Sequence, residues 1–322
     1  MPDIWFSPRQ QALDPNANFK SLVFDQHDFP AMLQSDEGWQ KAASHLNVLQ
    51  VSAQAIMEKY HDVPAVMAMI KRHNFAVAAF GSVLFTDHIC NYNGEGMSND
   101  VGFSREVVVN LHKWKLAGGR LDYFTMDTPL MHGYYKVKDC HFSIEEVARR
   151  AAVTIRLIQQ DFPNVKIGDS EGPGWMLPST WLPDLGQFLT AFQKADGKPI
   201  AYFAMDMHWY DVWHTGYNLV DASREITDYL HSRGVKAGLI IDADDDFVVT
   251  GNAKTRQPIT AEGFMQANRD HMRLVHDAGL PLDFIVIDSW MKYPKWNLPE
   301  SDPNAFASLV NFAYHLWSNV PP

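Results

Sequence analysis

The chain has 322 residues, 46% of them hydrophobic and 20% charged, and a formal net charge of −11. That composition is ordinary for a globular protein with ample core-forming material, and the acidic balance argues against nucleic acid or an anionic membrane surface as a partner. No window approaches the roughly 18 uninterrupted apolar residues of a membrane span. The opening Met1-Pro-Asp-Ile-Trp-Phe carries no basic region ahead of an apolar one, so a soluble chain is expected, either cytoplasmic or already trimmed of a signal.

A short apolar run, a polar loop and an amphipathic stretch recur along the chain. In order, the predicted strand and helix pairs are 4–6 with 36–45, 48–52 with 64–73, 75–80 with 104–117, and 123–127 with 143–161. The second half continues with 165–169 and 182–195, 200–206 and 221–233, 235–242 and 261–278, and 284–288 with 302–317. Ser143-Ile-Glu-Glu has capping-box spacing, with Glu146 able to reach back to the Ser143 amide. Gly118, Gly234 and Gly279 stand where helices should stop. The strands are largely apolar on both faces, as strands buried by a parallel βαβ arrangement are. Strict alternation leaves a closed barrel or an open doubly wound sheet. A doubly wound nucleotide binder opens its first unit on a Gly-rich turn, and no such turn follows residues 4–6. The expected fold is α/β, a single (β/α)8 barrel domain over residues 1–322.

Catalytic groups of such barrels come from the carboxyl ends of the strands and the loops beyond them. Five consecutive predicted strands end in acids: Asp127, then Asp169 with Glu171, Asp206, Asp242 and Asp288. Side chains alternate across a strand. Phe203, Met205 and Met207 suit a helix-facing surface, which leaves Ala204, Asp206 and His208 inside. By the same alternation Leu239 and Ile241 point outward and Gly238, Ile240, Asp242 and Asp244 inward, while Ile285 and Ile287 oppose Val286, Asp288 and Trp290. Asp169 and Glu171 share a face, and all these acids are expected to converge on the barrel mouth. A single Asp at a strand end is commonly a cap or turn residue, and Asp244, Asp245 and Asp246 read that way. Crowded carboxylates raise one another's pKa, so a fold does not gather five for stability alone. Of ten Trp, Trp209 and Trp290 lie just beyond inward acids, where an indole can stack on a sugar ring. Trp181 and Trp213 read as packing residues.

At these residues the chain resembles the TIM-barrel glycoside hydrolases. The resemblance rests on Met126-Asp127-Thr128-Pro129, Ile167-Gly168-Asp169-Ser170-Glu171, Asp206-Met207-His208-Trp209 and Ser289-Trp290-Met291, with Glu95 of Gly94-Glu95-Gly96 as a further acid. The chain departs from that pattern in having Asp-Thr-Pro after strand four, no Asn-Glu ending strand four and no Glu ending strand seven. The resemblance implies a carbohydrate substrate and cleavage by two carboxyl groups flanking the scissile bond, one protonated and one ionised. Glu171, placed in a Gly-Pro-Gly loop beside Asp169, is the expected acid, and Asp127 or Asp206 the ionised partner. Glu95, Asp169, His208, Trp209, Asp242, Asp288 and Trp290 are expected to hold the sugar.

No cofactor or metal is expected, because five acids around one His exceed what a single ion needs. Two alternatives stay open. One is a metal-dependent sugar isomerase or lyase with Glu171, His208, Asp242 and Asp288 as a mixed oxygen and nitrogen ligand set. The other is a non-catalytic carbohydrate-binding barrel, given Thr128 in place of an expected Glu. Cys90 and Cys140 fall in neighbouring loops; a disulfide between them, and with it export, is the expectation set against two free thiols.

Overall fold

The computed structural model describes residues 1–8, 28–53, 63–84, 104–135, 142–172, 180–207, 218–242, 247–249, 256–258, 260–289 and 293–318. Its central feature is a closed barrel of eight parallel strands. These are β1 (Asp3–Phe6), β2 (Val48–Ser52), β3 (Ala76–Gly81), β4 (Tyr123–Asp127), β5 (Lys166–Glu171), β6 (Tyr202–Asp206), β7 (Lys236–Ile241) and β10 (Phe284–Ile287). They pair in the order β1-β10-β7-β6-β5-β4-β3-β2, and β2 closes on β1. A short antiparallel ribbon, β8 (Phe247–Val249) with β9 (Arg256–Pro258), lies between β7 and β10 in the chain; it was not foreseen from the sequence.

The described helices are α1 (Phe29–Gln34), α2 (Gln40–His45), α3 (Val63–His73), α4 (Ser104–Leu116), α5 (Ile144–Asp161), α6 (Trp181–Asp196), α7 (Leu219–Ser232), α8 (Ala261–Asp277) and α9 (Ala307–Ser318), with a π-helical turn at Met131–Tyr135. Ser143 caps α5 through the Glu146 amide at 3.2 Å. The reciprocal half of the box is absent, because the Glu146 carboxylate turns to Arg149 and Arg150 instead. Most boundaries shift by a residue or two, and two helix starts move further, for local reasons. The helix expected from 36 begins at Gln40, since Gly38 adopts a left-handed φ of +83° and the Glu300 carboxylate accepts the Lys41 and Ala42 amides at the new start. The helix expected from 302 begins at Ala307, because Asp302, Ala305 and Phe306 are held in turns bonded to Pro299, Asp302 and Trp296. No described helix is long and apolar enough to cross a membrane. Cys90 and Cys140, and with them the expected disulfide, lie outside the described residues.

The end of the barrel where the strands begin is closed by a recurring device. The polar residue just before a strand accepts an amide of the neighbouring strand: Asn47 from Ile4 at 2.8 Å, Asp122 from Val77 at 2.8 Å and Asp283 from Ala237 at 2.9 Å. Each such bond satisfies an edge donor that would otherwise be left at a crowded sheet end.

Inside, the bore is plugged by aromatic rings. Trp5 stacks on Phe284 with centroids 4.7 Å apart and lies against Tyr123 and Tyr202 at 4.9 and 5.2 Å. The Tyr202 hydroxyl shares a hydrogen bond with Thr125 Oγ1 at 2.9 Å, which satisfies its polar tip. Gly168 and Gly238 leave room for this plug: a Cβ on Gly168 would lie 2.1 Å from the Tyr202 ring, and one on Gly238 2.3 Å from the Phe284 ring. Tyr202 is boxed in by three other rings and cannot swing away. Gly168→Ala is therefore expected to cost about 3 kcal/mol, at the upper end for overpacking, seen as a lower urea midpoint with an unchanged slope.

Around the barrel a second, larger core fills the space between strands and helices, with Phe203, Met205, Met207, Leu239, Ile241, Ile285 and Ile287 facing it as expected. Ala204, Ile240 and Val286 face the bore.

Candidate active site

Above the aromatic plug the bore becomes polar. Register fixes which acids reach it. Asp206 pairs with Ile240, a bore residue, and Asp127 pairs with Ser170, which pairs in turn with the bore residue Ala204. Asp242 and Asp288 continue the inward parity of Ile240 and Val286. Asp127, Asp206, Asp242 and Asp288 thus stand on the inward side at the carboxyl ends of β4, β6, β7 and β10. Asp206, Asp242 and Asp288 are buried, and Asp127 is partly exposed.

Asp288 is buried and hydrogen-bonded through both carboxyl oxygens. Its Oδ1 accepts the Ser289 amide at 2.7 Å, and Gln50 Nε2 reaches Oδ2 at 3.5 Å. Burial raises its pKa to about 6, against the pull of the hydrogen bonds from Ser289, Ser7 and Gln50. A carboxyl group in that range carries a proton in a useful fraction of molecules near neutrality. Ser7 and Gln50 did not enter the sequence reading. Gln50 could have been found there, since it is a polar residue at the inward parity set by Val48.

Asp169 and Glu171 correct the expectation. They do share a face, but it is the face turned toward the helices. Asp169 pairs with Met126 and Phe203, and Glu171 with Met205, all three outer-core residues. The reason is that Gly168 and Ser170 take the inward positions, where Tyr202 leaves space for nothing larger than glycine at 168. Glu171 is not in a loop beyond β5; it is the last residue of the strand. It is fully buried, and its two carboxylate oxygens accept the amides of Leu130 and Met131 at 2.5 and 3.1 Å. Burial and the nearby Asp169 and Asp127 carboxylates push Glu171 upward, and the two amides pull it back. Asp169, also fully buried, is raised by burial and by Asp127. These three acids are therefore neighbours at the ends of β4 and β5, with one facing the bore and two behind the barrel wall.

The segment that joins them is strained. Thr128, next after Asp127, holds φ at +44°, a region that a β-branched residue rarely enters and that costs on the order of 1–3 kcal/mol. Its amide donates to Ser170 and its carbonyl accepts from His132, so the turn is tied on both sides. Glu95, His208, Trp209 and Trp290 lie outside the described residues. Among the described residues, no three His, Cys, Asp or Glu side chains are grouped so as to hold a metal ion.

No protein-family model and no curated protein matches the chain. Solved structures do match. A GH10 endoxylanase retrieved from a sugarcane soil metagenome superposes with a TM-score of 0.53 at 10% identity, covering 90% of this chain and 88% of that one. GH5_18 from Streptomyces cattleya, solved in complex with GlcNAc, gives 0.52 at 10% identity over 99% of this chain and 82% of that one. GH10 from Paenibacillus barcinonensis gives 0.50 at 12% identity, over 90% and 85%. The barrel is thus similar in fold to those of TIM-barrel glycoside hydrolases.

Proposed function

We propose that the chain is a carbohydrate-active enzyme that cleaves a glycosidic bond with carboxyl groups at the barrel mouth. The observation that carries this reading is the set of inward acids at the ends of β4, β6, β7 and β10, one of which, Asp288, is buried so that its pKa is raised to about 6. Glycoside hydrolysis needs one protonated and one ionised carboxyl group. Asp288 is the proposed acid, with Asp127 or Asp206 as the ionised partner and Asp242 on the sugar hydroxyls. Glu95, His208, Trp209 and Trp290 remain proposed substrate contacts. The fold shared with proteins described as an endoxylanase and as binding GlcNAc is consistent with a sugar ligand.

The test is a panel of nitrophenyl glycosides and unmodified oligosaccharides, assayed by released chromophore and reducing ends. Hydrolysis by the wild type is expected to persist in EDTA. Reversible loss on chelation, regained with Mn²⁺ or Mg²⁺, would favour a metal-dependent isomerase or lyase. Sugar binding by calorimetry without turnover of any substrate would favour a barrel that only binds.

A further inference from the structure

Resting on that reading, we propose that Glu171 is a positioning residue: its buried carboxylate clamps the turn after β4 and so sets Asp127 at the barrel mouth. Three observations converge on it. First, Glu171 ends β5 on the helix-facing side, away from the bore where a substrate would sit. Second, both of its oxygens are engaged by consecutive amides, Leu130 and Met131, at the entry to the π-helical turn Met131–Tyr135. Third, only Thr128 and Pro129 separate those amides from Asp127, and Thr128 is held at a left-handed φ that its own side chain disfavours. A strained residue persists only where its surroundings hold it. The clamp on one side, and the Thr128 amide bonded to Ser170 on the other, supply that hold.

The middle of the π-turn is hemmed in as well. A Cβ on Gly133 would lie 2.5 Å from the Val147 side chain of α5, so the turn is pressed against that helix. The segment therefore has little freedom to settle elsewhere while the Glu171 bonds persist. Once they are lost, the strain at Thr128 favours a different path for the backbone, and Asp127 moves with it. A displacement of about 1 Å at a reacting group can cost about 100-fold in rate.

The experiment compares Glu171→Ala, Glu171→Gln and Asp127→Asn with the wild type by hydrogen exchange and by steady-state kinetics on the cleaved glycoside. In Glu171→Ala, exchange of the Leu130 and Met131 amides should rise at least tenfold, with α5 unchanged. Its kcat should fall about 100-fold while KM changes little. Glu171→Gln, which keeps one acceptor and the side chain's shape, should show both effects more weakly; it serves if the alanine variant does not fold. The loss should be equal for substrates with good and poor leaving groups. A loss confined to poor leaving groups would make Glu171 the proton donor itself and overturn the proposal, as would unchanged exchange at Leu130 and Met131. If Asp127→Asn retains full activity, the reading of the mouth fails instead, and the exchange data still decide whether the clamp exists.

Discussion

Asp288→Asn is expected to make the protein more stable and less active at once. In the folded chain Asp288 titrates near 6, against an ordinary value of 3.8, because burial penalises its charged form. Between those two values the folded state holds a proton that the unfolded state releases, so the native state binds more protons and stability falls as pH rises through that window. Below it both states are protonated and nothing is lost. Above it the full penalty applies, on the order of 3 kcal/mol if the whole displacement is realised. The amide cannot ionise, yet its oxygen can still accept the Ser289 amide. The variant should therefore match the wild type near pH 4 and exceed it above pH 6, as read by thermal unfolding at several pH values. Turnover should fall by about 10²–10⁴, the usual contribution of a positioned acid, with the smallest loss on substrates whose leaving group needs no proton. A stabilised variant with undiminished kcat would mean that the burial of Asp288 serves some other purpose.

The architecture was legible because its signal is repeated eight times and because the outer faces of β6, β7 and β10 are uniformly large and apolar. There, alternation assigned Asp206, Asp242 and Asp288 to the bore from local pattern alone. β5 broke the same logic for a physical reason. Its inward residues are Gly168 and Ser170, small because Tyr202 from β6 fills the space beside them, and a side chain on another strand is invisible to a local pattern. With the inner face so bare, the acids read as the inward set. Ile167, which shares their parity and packs among the helices, carried the correct answer. What no pattern could supply is where a buried acid finds its partners. The Glu171 oxygens are met by amides some forty positions earlier, and the left-handed Thr128 is a property of the folded backbone. The aromatic plug was likewise hidden, since Trp5, Tyr123, Tyr202 and Phe284 come from four separate strands.

The second large effect concerns the partner of Asp288, and the strand order separates the two candidates. Three strands lie between β10 and β4 in either direction around the barrel, so Asp127 and Asp288 face each other across the bore. Asp206 is closer along the wall, with β7 alone between β6 and β10. An inverting pair needs a wider separation, about 6.5–9.5 Å, to admit a water, whereas a retaining pair stands about 5 Å apart. Asp127 is also the partly exposed member, while Asp206 is buried. Both points favour Asp127 as a base acting on water from the face opposite the acid. Asp127→Asn should lower kcat on the order of 10³-fold with little change in KM, and Asp206→Asn should act mainly on KM by losing a hydrogen bond to substrate. Proton NMR of the first-formed sugar should show the anomer opposite to that of the substrate. Retention of configuration, with the larger kcat loss in Asp206→Asn and recovery of turnover by azide in Asp206→Gly, would assign the chemistry to Asp206 as a nucleophile.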